Sequence, residues 1–352
     1  DLLLERRSRV ELHLEQEPLL WTKGSAVDRE LHIVTEAIRS LSRQIEKIEE
    51  IVFGHDMEGR RIPLPLNTVG RTIAVGSDNE LLLAYMDMEG YHLVDSIALA
   101  DLERRPVFKG SNRWDCWMAK SLCAIGDRIC FYREPNPGIH AYVRKSGYMD
   151  LINPGSRFPV RHTMLMRAWK DAVYAYESKE HGLWQINPYS HRIQLVCKLS
   201  IPPRRKQQQQ QQVLDFREMS SVCDGEVIAL DLYGVLYHIP SMTQLDVVWL
   251  VHGCCYSEGR MRLSDMSWSS TAEALVCVAQ PGEVVVVMRL DLALKKGFVV
   301  HAASVAHHHS GCHSPIRSES ILSNIVCIDN SAYLCSRSGD DIIEIVIESS
   351  ED

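Results

Sequence analysis

Two hydrophobic periods divide this chain. Between Asp28 and Phe53 the apolar residues Leu31, Val34, Ile38, Leu41, Ile45, Ile48 and Val52 recur at spacings that alternate between three and four, the a/d seam of a heptad pattern. Charged residues such as Glu30, Glu36, Arg39, Arg43, Lys47 and Glu50 fill the other positions, and neither Gly nor Pro interrupts the run before Gly54. The pattern predicts a helix with one narrow apolar stripe that must be covered. A coiled-coil stalk that assembles chains through residues 28–53 would cover it; packing on the body of the same protein is the other way. An earlier segment with Leu3, Val10 and Leu14 is set apart by Pro18, so a helical segment is expected over residues 1–60. The chain begins at Asp1 rather than Met, and a longer parent protein is expected.

From Arg61 onward the helical period gives way to short β-rich runs separated by Gly, Pro, Asn and Asp. One unit recurs six times: DNELLLAYMDMEG, DRICFYREPNPG, DAVYAYESKEHG, DGEVIALDLYG, AEALVCVAQPG and DNSAYLCSRSG. Each is preceded by a strand-like run (RTIAVG, WDCWMAKSLCAI, HTMLMRAW, FREMSSVC, MRLSDMSW, ESILSNIVCI) and followed by another (from YHLVDSI to DDIIEIVIE). The units start at residues 78, 127, 171, 224, 272 and 329, intervals that suit the roughly 40–50 residues of one propeller blade. A fourth strand is read as DSIALA, GYMDLI, RIQLVCKL, LDVVWLV and GFVVHA in the first five units. The sixth has no room for one, whereas RIPLPLN, residues 61–67, is a spare extended segment ahead of the first. The fold class expected is all-β: a six-bladed β-propeller over residues 61–352, closed by strand 61–67, behind an N-terminal α-helical segment.

The third unit, VYAYESKEHGLWQINPYSHRIQLV, resembles a kelch-type blade, with a Gly turn, an aromatic strand and the turn Asn187-Pro188-Tyr189-Ser190; Pro240-Ser241-Met242-Thr243 is a looser echo. The paired glycines of kelch repeats are missing, and Trp-Asp occurs only at Trp114-Asp115, away from a strand end. A coiled coil ahead of six blades is similar in layout to tripartite-motif proteins that end in an NHL-repeat propeller, and HRIQLV is similar to that repeat. The resemblance reaches the propeller superfamily and no family within it. It implies a non-catalytic protein-interaction scaffold, with substrate recognition in a ubiquitin-ligase assembly as the alternative that the layout suggests. A propeller hydrolase is a third reading.

Charge narrows the partners. Against 46 acidic residues stand 38 Lys and Arg, a net charge of -8 that argues against a dominant nucleic-acid or anionic-membrane surface. The short basic clusters, Arg104-Arg105 with Lys109 and Arg113, and Arg204-Arg205-Lys206, read as solvated loops. No apolar run is long enough to cross a bilayer and the start lacks a signal-peptide pattern, so an intracellular protein, cytoplasmic or nuclear, is expected. The 11 cysteines are odd in number and several sit in apolar runs, as Cys130, Cys197, Cys277 and Cys327 do, which fits buried thiols.

The most chemical-looking stretch is AHHHSGCH. His307, His308, His309, Cys312 and His313 are zinc-ligand types, with His252, Cys254 and Cys255 as further donors. Adjacent side chains in a loop diverge, however, and no paired CxxC or HxxxH completes a tetrahedron, so no fixed metal and no cofactor are expected. The stretch falls in the widest interval between units, and the polyglutamine tract Gln207–Gln212 falls in another wide one. Both read as insertions between blades. The recurring Asp78, Asp127, Asp171, Asp224 and Asp329 are expected to cap tight turns. Glu134, Glu177, His140 and His181 could share one face, but no hydrolase or nucleotide-binding signature surrounds them. For partner contact the candidates are Arg113, Trp114, Tyr132 and Tyr256, whereas Trp117, Trp184 and Trp249 are expected to be buried.

Overall fold

The described residues of the computed structural model are 59–65, 68–77, 79–110, 116–117, 121–134, 138–152, 165–177, 181–199, 216–223, 226–232, 234–240, 246–250, 262–280, 284–293, 296–304, 324–335 and 341–347. The helical seam from Leu31 to Val52 lies outside them, as do Arg113, Trp114, Tyr256 and the histidines and cysteine of AHHHSGCH. Five sheets hold the described strands, with strands consecutive in the chain paired antiparallel except where Arg60–Pro63 joins the last strand and where two outer strands pair parallel. One of the five is double, so the blades number six.

The innermost strands are Val69–Val75, Cys123–Ile125, Leu165–Trp169, Phe216–Cys223, Arg262–Ser269 and Asn324–Ile328. Each neighbours the next, and the last returns to the first, around a central channel. In blade 2 the inner layer is split, Cys116–Trp117 pairing with one end of Arg128–Glu134 and Cys123–Ile125 with the other. The first and last described strands meet in blade 6, where Arg60–Pro63 pairs antiparallel with Asp341–Val346 outside Ser331–Cys335 and Asn324–Ile328. The double sheet arises because the outer strands of blades 4 and 5, Asp246–Leu250 and Lys296–Ser304, pair parallel through Trp249 with Lys296 and Leu250 with Gly297.

Six hydrophobic clusters hold the ring, one in each gap between neighbouring blades. This placement explains the sequence. A middle strand is covered by a blade on either side, so both of its faces are apolar and the period-2 signal fades into a continuous run. Leu81, Leu82 and Leu83 are all fully buried, odd positions packing toward blade 6 and Leu82 toward blade 2. Val276, Cys277 and Val278 divide likewise between blades 6 and 4.

The fourth strand of blade 1 and the placing of Tyr132 need correction. The fourth strand of blade 1 is Arg104–Lys109 and not DSIALA, whose first residues end the third strand His92–Ala98. Outer strands carry charge and proline because one edge faces solvent, so RRPVFK reads as a loop. Arg104 Nε in fact lies 3.3 Å from the buried Asp95, which also accepts a 2.9 Å hydrogen bond from Tyr85. Tyr132, expected as an exposed anchor, is only 1% exposed and packs in the cluster between blades 2 and 3.

Three recurring aspartates occupy two-residue hairpin loops: Gly126-Asp127, Lys170-Asp171 and Asp329-Asn330. The first residue of each has positive φ (56°, 51° and 50°), the hairpin geometry that matches strand twist. The side-chain capping expected of these aspartates is not made by these three; among the described residues other turns carry it, and Asp78 and Asp224 lie outside them. Asp87 accepts from Glu89 and Tyr91, Asn187 from Tyr189 and Ser190, and Asp231 from Val235.

Candidate functional site

A propeller offers two kinds of surface, the channel and the outer strands with their turns. The channel holds a cavity of about 260 Å³ lined by inner-strand residues from all six blades. Inner strands of adjacent blades do not form a ladder, so their backbone N–H groups need another acceptor when buried. Here side chains of the preceding blade supply it.

Asp265 Oδ2 accepts from Ile325 N at 3.1 Å, and Asn324 Oδ1 accepts from Ile73 N at 2.6 Å and from the Thr72 hydroxyl at 3.2 Å. The two acceptors are themselves joined, Asn324 Nδ2 donating to Asp265 Oδ2 at 3.0 Å. Two residues further along the strands the device repeats with serine: Ser220 Oγ accepts from Trp268 N at 3.0 Å and Ser267 Oγ from Cys327 N at 2.9 Å. Blades 4, 5, 6 and 1 are thereby stitched in sequence. Asp265, Asn324 and Thr72 are buried, and each such bond contributes on the order of 1 kcal/mol, more where a carboxylate accepts.

The charged pair in the cavity wall is Arg167 with Glu218. Arg167 donates to Glu218 Oε2 and to Met166 O, and Glu218 Oε1 accepts from Met219 N. Burial works against the guanidinium charge, but Glu218 beside it, with Asp265, more than offsets this and holds Arg167 above its ordinary range. Burial pushes the Cys123 thiol in the same wall up to about 12, Arg167 offsetting part of the rise. Cys327 is likewise raised by burial to about 12. Both therefore stay protonated near neutral pH, which makes them poor nucleophiles. Arg167 and Glu218 bond blade 3 to blade 4.

Of the catalytic candidates, His140 and Glu177 are buried, His140 stacking on Phe131, and His181 Nδ1 is bonded to the Tyr176 hydroxyl at 3.0 Å. Side chains of Glu134, Trp117 and Trp249 lie outside the described residues, and Trp184 is half-buried against the cluster between blades 2 and 3. Among the described residues no group of His, Cys, Asp and Glu is placed to hold a metal ion.

On the outside, half of the exposed large apolar side chains among the described residues lie on blades 2 and 3, the others being Val75, Met88, Leu232, Val300 and Val346. Tyr148 (64% exposed) and Leu151 (41%) lie on the outer strand of blade 2, and Leu195 (40%) and Val196 (37%) on that of blade 3. Tyr189 (49%) in the preceding turn joins the two. Its hydroxyl donates to Ile125 O at 3.1 Å, its ring lies 4.9 Å from the Arg128 guanidinium carbon, and it occupies the place of a side chain at Gly126. Arg128 and His191 both reach Asp150 Oδ2, at 3.2 and 2.8 Å, which locks the turn onto blade 2. The kelch-like quartet Asn187-Pro188-Tyr189-Ser190 is therefore a clasp between two blades. Sequence reasoning singled out the quartet as a turn but missed its contact surface.

No protein-family model and no curated protein matches this sequence. Solved structures do. A structural-genomics protein of unknown function from Bacteroides thetaiotaomicron shares 12% identity with a TM-score of 0.52 over 83% of this chain and 73% of its own. YCF48 from Cyanidioschyzon merolae shares 11% with a TM-score of 0.51 over 82% of this chain and 98% of its own. A complex of YCF48 with a D1 peptide gives 13% and 0.49 over 83% and 82%. At such identities the likeness concerns the fold alone. It agrees with the sheet order: the chain is a six-bladed β-propeller of no assigned family.

Proposed function

We propose that this protein is a non-catalytic interaction module whose outer surface on blades 2 and 3 binds a protein partner. The single observation that carries the reading is the contrast between the two surfaces. Arg167, Glu218, Asp265 and Asn324 at the channel are engaged in bonds between blades, whereas Tyr148, Leu151, Tyr189, Leu195 and Val196 are exposed on the outside of two neighbouring blades. Tyrosines such as Tyr148 and Tyr189 are among the residues that protein interfaces use as anchors, and neighbouring apolar side chains exclude water around them. In the same proposal residues 1–60 form a helical segment that sets copy number through 28–53, residues 61–352 form the propeller, and the protein works inside the cell. Two modules held together would gain avidity without any new contact.

Photo-crosslinking tests it. A benzophenone residue placed at Tyr148 or Tyr189 should yield a crosslinked polypeptide identifiable by mass spectrometry, whereas one at the exposed Met88 on blade 1 should not. Equal yields of the same product at all three positions would sink the assignment of the surface.

A further inference from the structure

A single core thiol is explained by burial, but blade 2 sets two of them face to face. Cys123 and Cys130 stand directly opposite each other across the hairpin that turns at Gly126-Asp127, a separation of about 4.5–5.5 Å between Cα atoms. Opposed residues share one face of a sheet, and both thiols enter the cluster between blades 2 and 3. Among the described residues no other two cysteines are partners in a strand ladder. A third sulfur comes from across the gap, where Met166 on the inner strand of blade 3 is fully buried in the same cluster. Burial and the neighbouring Cys123 push the Cys130 thiol well above its ordinary value.

We propose that Cys123 and Cys130, with the Met166 thioether as third donor, bind one monovalent copper ion. Thiolates and thioethers are soft donors that select this ion. Among the described residues no group of three or more His, Cys, Asp and Glu is placed to hold an ion, which argues against zinc with its four ligands. Monovalent copper is satisfied by two or three sulfurs and needs no water, which suits a cluster whose other members include Ile125, Ile139, Ile152 and Val173. The spacing fits as well, because two sulfurs on one ion lie at most about 4.6 Å apart when each metal–sulfur bond is about 2.3 Å. Binding releases both thiol protons to solvent and leaves copper at +1, so no electron moves. Two thiolates and one such ion carry a net negative charge, and the guanidinium of Arg167 beside Cys123 offsets it. Cys123 also lines the channel cavity, which gives the ion its route of entry.

The test uses the full 352-residue chain, reduced and kept free of oxygen, with copper(I) supplied as its bicinchoninate complex so that loosely held ions stay with the chelator. X-ray absorption of the chain loaded with one equivalent should show two or three sulfur neighbours and no nitrogen. Nitrogen neighbours would place the ion on histidines such as those of AHHHSGCH and overturn the proposal. Copper retained through gel filtration should fall by one ion per chain in Cys123→Ala/Cys130→Ala and stay at the parent's level in Cys312→Ser. Met166→Leu should keep the ion but lose it to bicinchoninate at least tenfold more readily, and an unchanged affinity removes the thioether from the site. Equal copper in the parent and the double alanine variant overturns the proposal, as does a parent that retains none. A measurement on the parent alone covers the case of an alanine variant that does not fold. Copper should protect Cys123 and Cys130 together from maleimide labelling during brief exposure to urea, and protection of other cysteines in their place overturns the proposal.

Discussion

Replacing Asn324 by alanine removes one side chain from the junction of the last and first blades, and the consequence can be worked from its bonds. Ile73 N, buried, loses its acceptor, which costs roughly 1–3 kcal/mol. Asp265 loses the amide donor on Oδ2 and keeps Ile325 N, a further loss of about 1.5–3 kcal/mol for a bond to a charged group. Allowing for relaxation, Asn324→Ala should cost about 3–4 kcal/mol, a large share of an ordinary domain's 5–15 kcal/mol. Asn324→Asp retains the acceptor but sets a second carboxyl beside Asp265. The folded pair then holds a proton more tightly than the unfolded chain does. Stability of that variant is fully present below the ordinary carboxylate pKa of about 4 and is lost as pH rises through the raised value. Urea unfolding followed by tryptophan fluorescence measures both, with an unchanged m-value as the sign that the same fold is unfolding. An alanine variant within about 0.5 kcal/mol of the parent, or an aspartate variant with the parent's pH profile, would refute the stitching argument.

Further outcomes follow from other parts of the ring. Arg167→Met takes the guanidinium away from the buried Glu218 and should cost about 3–5 kcal/mol, most of it recovered in Arg167→Met/Glu218→Gln, read by chemical denaturation. Cys123→Ala should flatten the alkaline limb of the stability curve. The folded thiol titrates at about 12 and an unfolded one near 8.5, so stability falls as pH rises above about 8.5, by about 1.4 kcal/mol per pH unit, and the variant lacks that share. Ile62→Ala, at a residue 2% exposed in the strand that completes blade 6, should lower stability by about 2–5 kcal/mol. Removal of residues 61–67 should abolish the cooperative thermal transition in calorimetry.

The inner strands were legible because each couples an apolar run to a turn at a regular interval, and FREMSSVC, MRLSDMSW and NIVCI all recur as innermost strands. Arg104–Lys109 was not, because a solvent-facing edge strand has the composition of a loop. Tyr132 was misplaced for the opposite reason. In RICFYRE both strand faces are covered, so alternation gives no contrast between inside and outside. The stitches hid in plain polar residues that pass for solvent-facing positions until the next blade is beside them. One signal was present: Glu218-Met219-Ser220 and Asp265-Met266-Ser267 place acid, methionine and serine at equivalent positions of consecutive blades. In both the acid accepts from the methionine N–H and the serine from the following blade. The contact surface of blades 2 and 3 left no such mark, since it depends on Tyr189 crossing from one blade to its neighbour.

Polar side chains at the channel bond blade to blade, and the outside of blades 2 and 3 is the surface proposed to bind protein. The most direct measurement of this contrast takes the polypeptide crosslinked at Tyr148 and compares its affinity for two variants of the full chain. Tyr148→Ser/Leu195→Lys should bind at least tenfold more weakly with Tm unchanged, and Arg167→Met/Glu218→Gln should bind like the parent. Affinity lost in the channel variant and retained in the surface variant would contradict the account.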